Sequence, residues 1–239
     1  MFWSWVFIAA LCYLGYKHIH GPRKGGTRGG LFGRPFLDPD TRAQQRGEQG
    51  EANVDAHLRK VLAAMCGANF YLHRGGLILR HAPGTAFPTA EVDHLAVTPF
   101  GIFVVETKNW SGHISAGGEP GTLARTLSDG TRETRKSPDA QNRSKVSYLR
   151  GLLPGMWPVQ GVGVFASPDC TVEPSLPLSL VHISELAHWM RANQHRFARS
   201  GEPSVNVEMA KTAILRNAET SAEAVAEHRR RVQSAQTIA

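Results

Sequence analysis

The chain has 239 residues, of which 41% are hydrophobic and 20% charged, a composition typical of globular proteins and not of disordered ones. Its formal net charge is +7, which favours a nucleic acid or an anionic membrane as partner without requiring either. The three cysteines lie far apart, so their spacing indicates neither a disulfide framework nor a zinc site and favours a reducing compartment.

The N-terminal segment MFWSWVFIAALCYLGY carries no charge and has aromatic residues near both ends, as membrane-spanning helices do. It is short against a typical span of about 20 residues, so Lys17 has to snorkel to the interface. A cleaved signal peptide is disfavoured because no basic start and no small-residue cleavage site are present, while a buried core helix is the competing interpretation. We therefore predict a transmembrane anchor over residues 1–20.

A basic segment rich in Gly, Pro and Arg follows the anchor, and we predict a flexible linker over residues 21–40. Five cations follow the apolar segment and no charge precedes it. The positive-inside rule then places the N-terminus outside and the remaining chain in the cytoplasm, at the inner membrane. These cations suit anionic lipid as well as DNA, so the high net charge alone is poor evidence for DNA binding.

From residue 41 the pattern predicts an α/β domain that extends to about residue 200. An amphipathic helix comes first, with Val54, Leu58 and Leu62 on one face. Strands are predicted near 70–73, 77–80, 91–98, 101–108, 113–117, 159–167 and 178–183, with a hairpin at Asp129-Gly130. Further helices are predicted near 139–153, after a Ser184 cap, and near 205–218 and 222–231. The last two form a helical C-terminal extension over residues 201–239.

Charge at the ends of two apolar strands is the most informative local feature. Alternation in the strand 101–108 puts Glu106 and Lys108 on one face and Thr107 on the other. The tight Pro-Phe-Gly turn brings Asp93 near Glu106 if the two strands pair antiparallel. Two carboxylates and a lysine at a sheet edge suit phosphodiester hydrolysis, in which the carboxylates bind Mg²⁺ and the lysine positions water or offsets charge.

The competing interpretation is an ordinary surface ion pair. A Glu-x-Lys sequence is common by chance, and such a pair at a strand end is usually solvated. The apolar character of both strands weighs against that interpretation, because unpaired charge inside an apolar strand is costly.

The run VDHLAVTPFGIFVVETKNWSG, from Val92 to Gly112, resembles the core of the nuclease-related domain family, often called NERD. That family belongs to the PD-(D/E)xK nuclease-like group. Its usual proline before the aspartate is absent here, since Val92 stands in that place. The resemblance implies a restriction-endonuclease-like mixed sheet flanked by helices.

Two shorter elements extend the resemblance to about residues 47–165, half of the chain. Gly50-Glu51 precedes the amphipathic helix, and Pro138 with Gln141 opens the helix after the hairpin. The resemblance does not cover the anchor, the linker or the C-terminal helices.

The resemblance implies a role for each site residue. Asp93 and Glu106 would bind Mg²⁺ or Mn²⁺, Lys108 would be the catalytic lysine, and Glu51 would be a third carboxylate and metal ligand. Gln141 would orient a phosphate or the lysine. For Glu51 the alternative is a helix N-terminal charge stabilised by the dipole, and for Gln141 a helix-end hydrogen bond to the backbone.

Basic residues on the hairpin and the next helix are candidates for a DNA-binding surface, although such runs are often simply solvated. They are Arg125, Arg132, Arg135, Lys136, Arg143 and Lys145. Trp110 could stack on a base, with core packing as the alternative.

The leading hypothesis is thus a membrane-anchored, metal-dependent nuclease that cleaves nucleic acid, DNA first of all. The second hypothesis is a non-catalytic scaffold that binds nucleic acid or protein at the membrane. A third is a membrane-assembly component whose C-terminal helices contact a protein partner.

Overall fold

The computed structural model describes residues 38–238. The predicted anchor and nearly all of the predicted linker lie outside the described residues. Within the described range, no helix is both long and apolar enough to cross a membrane. From Pro39 onward the chain forms one compact unit.

Helices and strands alternate through this unit, which confirms the α/β prediction. The helices are α1 (Pro39–Cys66), α2 (Pro138–Leu152), α3 (Leu186–Ser200), α4 (Val207–Arg216) and α5 (Ala222–Ile238). The first strands are β1 (Tyr71–Leu79), β2 (Ala90–Thr98), β3 (Gly101–Lys108), β4 (Gly112–Ala116), β5 (Thr122–Thr126) and β6 (Arg132–Lys136). The later strands are β7 (Val159–Phe165), β8 (Cys170–Val172), β9 (Leu180–His182) and β10 (Ala218–Glu219).

The larger of two sheets has six strands in the order β10-β1-β2-β3-β7-β9. The strands from β10 to β3 pair antiparallel, whereas β3, β7 and β9 run parallel. Antiparallel neighbours need only a tight turn, as between β2 and β3, whereas the parallel step to β7 needs a crossover, which α2 provides. The smaller sheet has the order β6-β5-β4-β8; β4 to β6 lie between β3 and α2 in the chain, and β8 follows β7. The predicted mixed sheet is therefore correct, but it is accompanied by a second one.

Two apolar layers cover the faces of the larger sheet. Helices α1 and α3 pack on one face, where Phe103 and Val105 of β3 are buried. Helices α2 and α4 pack on the other face, against Ile102 and Val104. The predicted alternation of β3 is thereby confirmed, because successive residues enter different cores.

Helix α2 lies unusually close to the sheet, and a glycine permits this. Gly163 of β7 pairs with Glu106 of β3, and a β-carbon at that glycine would meet Pro138 Cγ at 2.9 Å and Leu180 Cδ2 at 2.7 Å. Asn142 of α2 donates from Nδ2 to the carbonyl oxygen of Val104 at 3.1 Å. The helix is thus fixed directly above the strand that carries Glu106.

Three local predictions were wrong. The two strands predicted near 70–80 are one strand, β1, whose pairing register shifts between Arg74 and Leu77. Ser184 does not cap a helix with its side chain. It belongs to a 3₁₀ turn in which His182 Nδ1 accepts from its N–H, and α3 begins at Leu186. The C-terminal segment is not purely helical, because β10 adds an edge strand beside β1.

Candidate active site

The turn between β2 and β3 brings the two predicted carboxylates together. The strands pair antiparallel, with His94 opposite Val105, so the next step along the ladder places Asp93 beside Glu106. Asp93 Oδ2 accepts a hydrogen bond from the backbone N–H of Thr107 at 2.8 Å. The antiparallel pairing on which the predicted proximity depended is therefore confirmed.

Glu106 lies between two lysines. Its Oε1 is 2.7 Å from Lys108 Nζ and its Oε2 is 2.6 Å from Lys145 Nζ. The Glu106 and Lys145 side chains are 7% exposed and that of Lys108 18%. An exposed ion pair contributes little, whereas removing one partner of a buried pair leaves an uncompensated charge. The surface-pair interpretation of Glu106 and Lys108 is therefore wrong.

Gln141 fixes the head of Lys108. Its Oε1 accepts from Lys108 Nζ at 3.1 Å, and its Nε2 donates to the Lys136 carbonyl oxygen at 3.2 Å. Both interpretations of this side chain thus hold, since it bonds the backbone and orients the lysine. The ammonium group of Lys108 is consequently held between a carboxylate and an amide oxygen.

The two carboxylates titrate in opposite directions. Burial, and next the charge of Glu106, raises the pKa of Asp93 to about 7 against the opposing effects of Lys145 and Lys108. Burial also disfavours the charged form of Glu106, but the ammonium groups of Lys145 and Lys108 outweigh it and hold the pKa of Glu106 below its usual value. Near neutral pH, Glu106 is therefore ionised, while Asp93 is present in both its protonated and its ionised form.

Helix α1 meets the end of β3 at Gly50. A β-carbon on Gly50 would lie 2.7 Å from Asn109 Cβ, so only glycine permits this crossing. Asn109 Nδ2 donates to the Arg46 carbonyl oxygen at 2.7 Å, and His94 Nε2 donates to the Glu51 carbonyl oxygen at 3.2 Å. These contacts give a physical reason for the glycine at position 50. Gly50 and Glu51 lie in the middle of α1 and not before it, so the prediction that they precede the helix and the interpretation of Glu51 as a helix N-terminal charge are both wrong.

The charges that act most strongly on the Glu51 carboxylate are not those of Asp93 and Glu106. Burial raises its pKa, followed by repulsion from Glu91, while Arg229 and Arg74 oppose the shift. Within the described part of the chain, no three His, Cys, Asp or Glu side chains are arranged to hold one metal ion. The predicted third carboxylate is thus not gathered with the other two, because Glu51 lies on the Glu91 side of β2.

Asp93 and Glu106 suit a divalent cation by their chemistry. Both offer the hard carboxylate oxygens that Mg²⁺ and Mn²⁺ prefer, and their mutual repulsion raises the pKa of Asp93. Both oxygens of Glu106 already accept from ammonium groups. A cation bound by these two residues would therefore compete with a lysine for Glu106.

A family model described as the nuclease-related domain matches residues 46–166, just over half of the chain. The chain belongs to the nuclease-related domain family. This confirms the resemblance and is consistent with the PD-(D/E)xK-like group. Neither the comparison with curated proteins nor that with solved structures gives a match. The match to the nuclease-related domain ends just after β7, so α3 to α5 lie beyond it.

A polar cavity of about 600 Å³ lies beside the Lys108 end of β3 in this nuclease-related domain. One wall comes from α1, another from the smaller sheet, and a third from the loop after β7. Its lining includes Arg46, Lys108, Trp110, Arg125, Arg135 and Asp169. Lys108 is the residue that this lining shares with the Glu106 site, so the cavity adjoins the site at the end of β3.

The predicted basic surface separates into three groups. Arg125 and Arg135 line the cavity. The exposed members outside its lining are Arg132, Lys136 and Arg143. Lys145 is buried on Glu106, so its interpretation as a surface contact for DNA has to be corrected.

Lys145 was predicted as a DNA contact, and its place beside Glu106 was not predicted. The sequence contained a signal for Lys145, which lies four residues after Gln141 and hence on the same face of α2. Arg46, Asp169 and the Glu91–Arg229 pair carried no comparable signal, because each reaches its place through contacts between distant segments.

Proposed function

We propose that this nuclease-related domain hydrolyses phosphodiester bonds of nucleic acid with the help of Mg²⁺ or Mn²⁺, and that residues 1–20 tether it to the inner membrane. The observation that carries the catalytic part is the buried Glu106, which holds Lys108 at 2.7 Å beside Asp93. DNA is the first substrate to test, because the cavity next to the site is lined by arginines.

The reaction needs a stabilised phosphate charge and a proton acceptor. The Lys108 side chain is 18% exposed, and its ammonium group would donate to a phosphate oxygen whose charge grows in the transition state. A divalent cation bound by Asp93 and Glu106 would polarise the phosphate and acidify the attacking water, so that this water could give up its proton to solvent near neutral pH.

Lys145 and Gln141 act on the groups that touch substrate. Lys145 holds Glu106 ionised, and Gln141 restricts the Lys108 ammonium to one direction. Orienting a catalytic group in advance lowers the barrier because little reorganisation remains in the transition state.

A cleavage assay of the full chain with Mn²⁺, on plasmid DNA and on single-stranded DNA, tests this function. Glu106→Gln and Lys108→Ala are each expected to lower the rate by about 10²–10³, the cost of losing one preorganised charge or donor. Arg199→Ala, an exposed arginine on α3, is the matched control and should nick at the wild-type rate. Unchanged nicking in both site variants would refute the proposal.

A non-catalytic scaffold is the second candidate, and one observation favours it. Glu106 has both oxygens satisfied by lysines, so its charge is compensated by the chain itself. Isothermal titration with Mn²⁺ separates the two candidates. The nuclease predicts heat of binding that disappears in Asp93→Asn, whereas the scaffold predicts nucleic-acid binding with no such heat.

A further inference from the structure

The cavity beside Lys108 has walls that are held in place by backbone contacts. The N–H of Ala166 donates to the Lys108 carbonyl oxygen at 2.9 Å, and the N–H of Gly112 donates to the Asp169 carbonyl oxygen at 2.7 Å. The first contact ties the segment after β7 to the end of β3, and the second ties its loop to the start of β4. A ligand in the cavity would therefore lie in a preformed site against Lys108.

Cationic groups dominate the cavity lining. Arg46, Lys108, Arg125 and Arg135 contribute four positive charges and Asp169 one negative charge. Glu106, paired with Lys108, and Glu133, paired with Arg125 and Arg135, offset two of the positive charges. An excess of positive charge in a concave site attracts an anion more strongly than a flat surface does. The lining thus suits a ligand that carries phosphate.

Arg125 is held by hydrogen bonds to Ser111, and Arg135 forms a part-exposed ion pair with Glu133. Arg125 donates from Nε to the Ser111 carbonyl oxygen at 2.8 Å and from Nη2 to Ser111 Oγ at 3.0 Å. Arg135 Nη2 lies 2.7 Å from Glu133 Oε2, which is also 3.4 Å from Arg125 Nη1. Guanidinium groups held in advance lose less entropy when they bind a phosphate.

The remaining wall offers contacts for a base. The half-buried Trp110 lines the cavity and packs on Phe165 with ring centroids 5.8 Å apart, so its ring is fixed. A fixed aromatic ring is a stacking surface for an unpaired base of any identity. The Asp169 carboxylate suits an exocyclic amino group of a base, and it would repel a second phosphate.

The size of the cavity decides between paired and unpaired nucleic acid. About 600 Å³ lies within the range of about 300–1,000 Å³ that is usual for small-molecule sites. Such a volume admits a nucleotide that has left its stack, as in enzymes that act on unpaired or extruded bases. A duplex would have to lie across the mouth of the cavity, where its paired bases could not stack on Trp110.

We propose that this cavity holds an unpaired nucleotide next to the phosphate that is cleaved, so that the substrate is a single strand or a frayed strand end. The inference rests on the proposed nuclease function of the same site. Arg135 contacts the phosphate of that nucleotide, Trp110 stacks on its base, and Lys108 lies against the neighbouring phosphate.

Binding in EDTA tests the assignment, because cleavage is then suppressed for a metal-dependent enzyme. Fluorescence anisotropy of the full chain compares a short single strand with a blunt hairpin duplex of the same composition. We expect the single strand to bind about tenfold more tightly, and Arg135→Ala to remove about that tenfold. Its salt dependence should also become shallower, by about 0.7 in log–log slope for one lost phosphate contact.

Two further variants keep the result interpretable. Arg46→Ala should weaken single-strand binding in the same way, since Arg46 lies on the opposite wall and forms no part of the Glu133 contacts. Lys60→Ala, an exposed charge on the same helix and outside the cavity lining, should bind as the wild type does.

Binding and cleavage results together separate the inference from the proposed function. Equal affinity for duplex and single strand, or Arg135→Ala and Arg46→Ala variants that bind like Lys60→Ala, would overturn the cavity assignment while leaving the nicking results intact. Single-strand preference with no cleavage by the wild-type chain would overturn the proposed function, and with it the position next to a cleaved phosphate.

Discussion

Two pairs of carboxylates each include one residue of β2, and the cations that hold the two pairs differ in burial. Asp93 and Glu106 form the inner pair, and Glu106 is held by the ammonium groups of the buried Lys145 at 2.6 Å and the part-exposed Lys108 at 2.7 Å. Glu51 and Glu91 form the outer pair, and Arg229 of α5 donates to the two oxygens of Glu91 at 2.7 and 3.1 Å. The Arg229 side chain is 57% exposed.

The difference shows that burial determines how much the loss of such an ion pair costs in stability. An exposed arginine can leave its carboxylate at little cost, because water replaces it, whereas a buried ammonium cannot. Helix α5 has no fully buried side chain among those described. A further polar contact joins His228 Nδ1 of this helix to Thr89 Oγ1, just before β2, at 2.9 Å. The inner pair is thus part of the core, while the outer pair attaches a peripheral helix.

The largest expected effect is on the inner pair. Lys145→Ala removes one of the two cations of Glu106 and should lower the free energy of unfolding by about 3–5 kcal/mol, the cost of a broken buried ion pair. Lys145→Met keeps most of the apolar stem and should lose nearly as much, which separates charge from packing. Urea unfolding of both variants measures this, with the exposed Lys60→Ala expected within about 0.5 kcal/mol of wild type.

If Lys145→Ala and Lys60→Ala lowered the free energy of unfolding equally, the contrast between buried and exposed ion pairs would not hold. Lys145 would then contribute no more than a surface charge, in spite of its 7% exposure.

The second effect concerns pH. The pKa of Asp93 rises from an ordinary 3.8 to about 7 on folding, because of burial and then of Glu106. Between these values the folded chain binds more protons than the unfolded chain, so the stability from the protonated carboxyl is present below pH 3.8 and is lost as pH rises through about 7. Urea unfolding in EDTA should therefore show a wild-type decline over this range that Asp93→Asn largely lacks.

The Glu106 carboxylate affects the pH dependence of stability in the opposite direction. Its pKa is lowered on folding, so its contribution is present above the ordinary value of 4.5 and is lost as pH falls below that value. The two windows barely overlap, which makes the Asp93 decline measurable by itself. A wild-type curve parallel to that of Asp93→Asn would contradict the assigned burial of Asp93.

The smallest expected effect is on the outer pair. Arg229→Ala should lower the global free energy of unfolding by about 0–1 kcal/mol, as for other exposed pairs. The pKa of Glu51 should rise further, since Arg229 opposes the shift. Hydrogen exchange should report faster opening of α5 while the exchange of β3 stays unchanged. A global loss as large as that of Lys145→Ala would mean that α5 belongs to the core.

The sequence predicted the inner site well because its parts are close along the chain. A tight turn and strict alternation fix the register of β2 against β3, and one slip would exchange the faces. The helix that carries Gln141 is positioned less directly, and there the prediction needed the family resemblance. The charge of Lys145 was read as surface, because a helical lysine can lie on either face and the packing of α2 was not yet known.

The outer site and the cavity could not be predicted from the sequence in the same way. Arg229 meets Glu91 across 138 positions of sequence, and no periodicity encodes a contact at that range. The cavity needs α1, the smaller sheet and the loop after β7 at once, and the smaller sheet itself was read only as short strands and a hairpin. Glu51 is not gathered with Asp93 and Glu106 for a related reason. Helical spacing predicts the face of the helix on which Glu51 lies, but not which residues of other elements it meets.

The close contact at Gly163 has a consequence for how related chains are interpreted. Any side chain there would lift α2, and Gln141 and Lys145 would move away from Lys108 and Glu106 while every charged residue stayed in the sequence. A lineage could therefore lose the proposed activity by gaining one methyl group. Ranking relatives as active by their acids and lysines alone would miss such losses, and the residue opposite Glu106 should be checked as well.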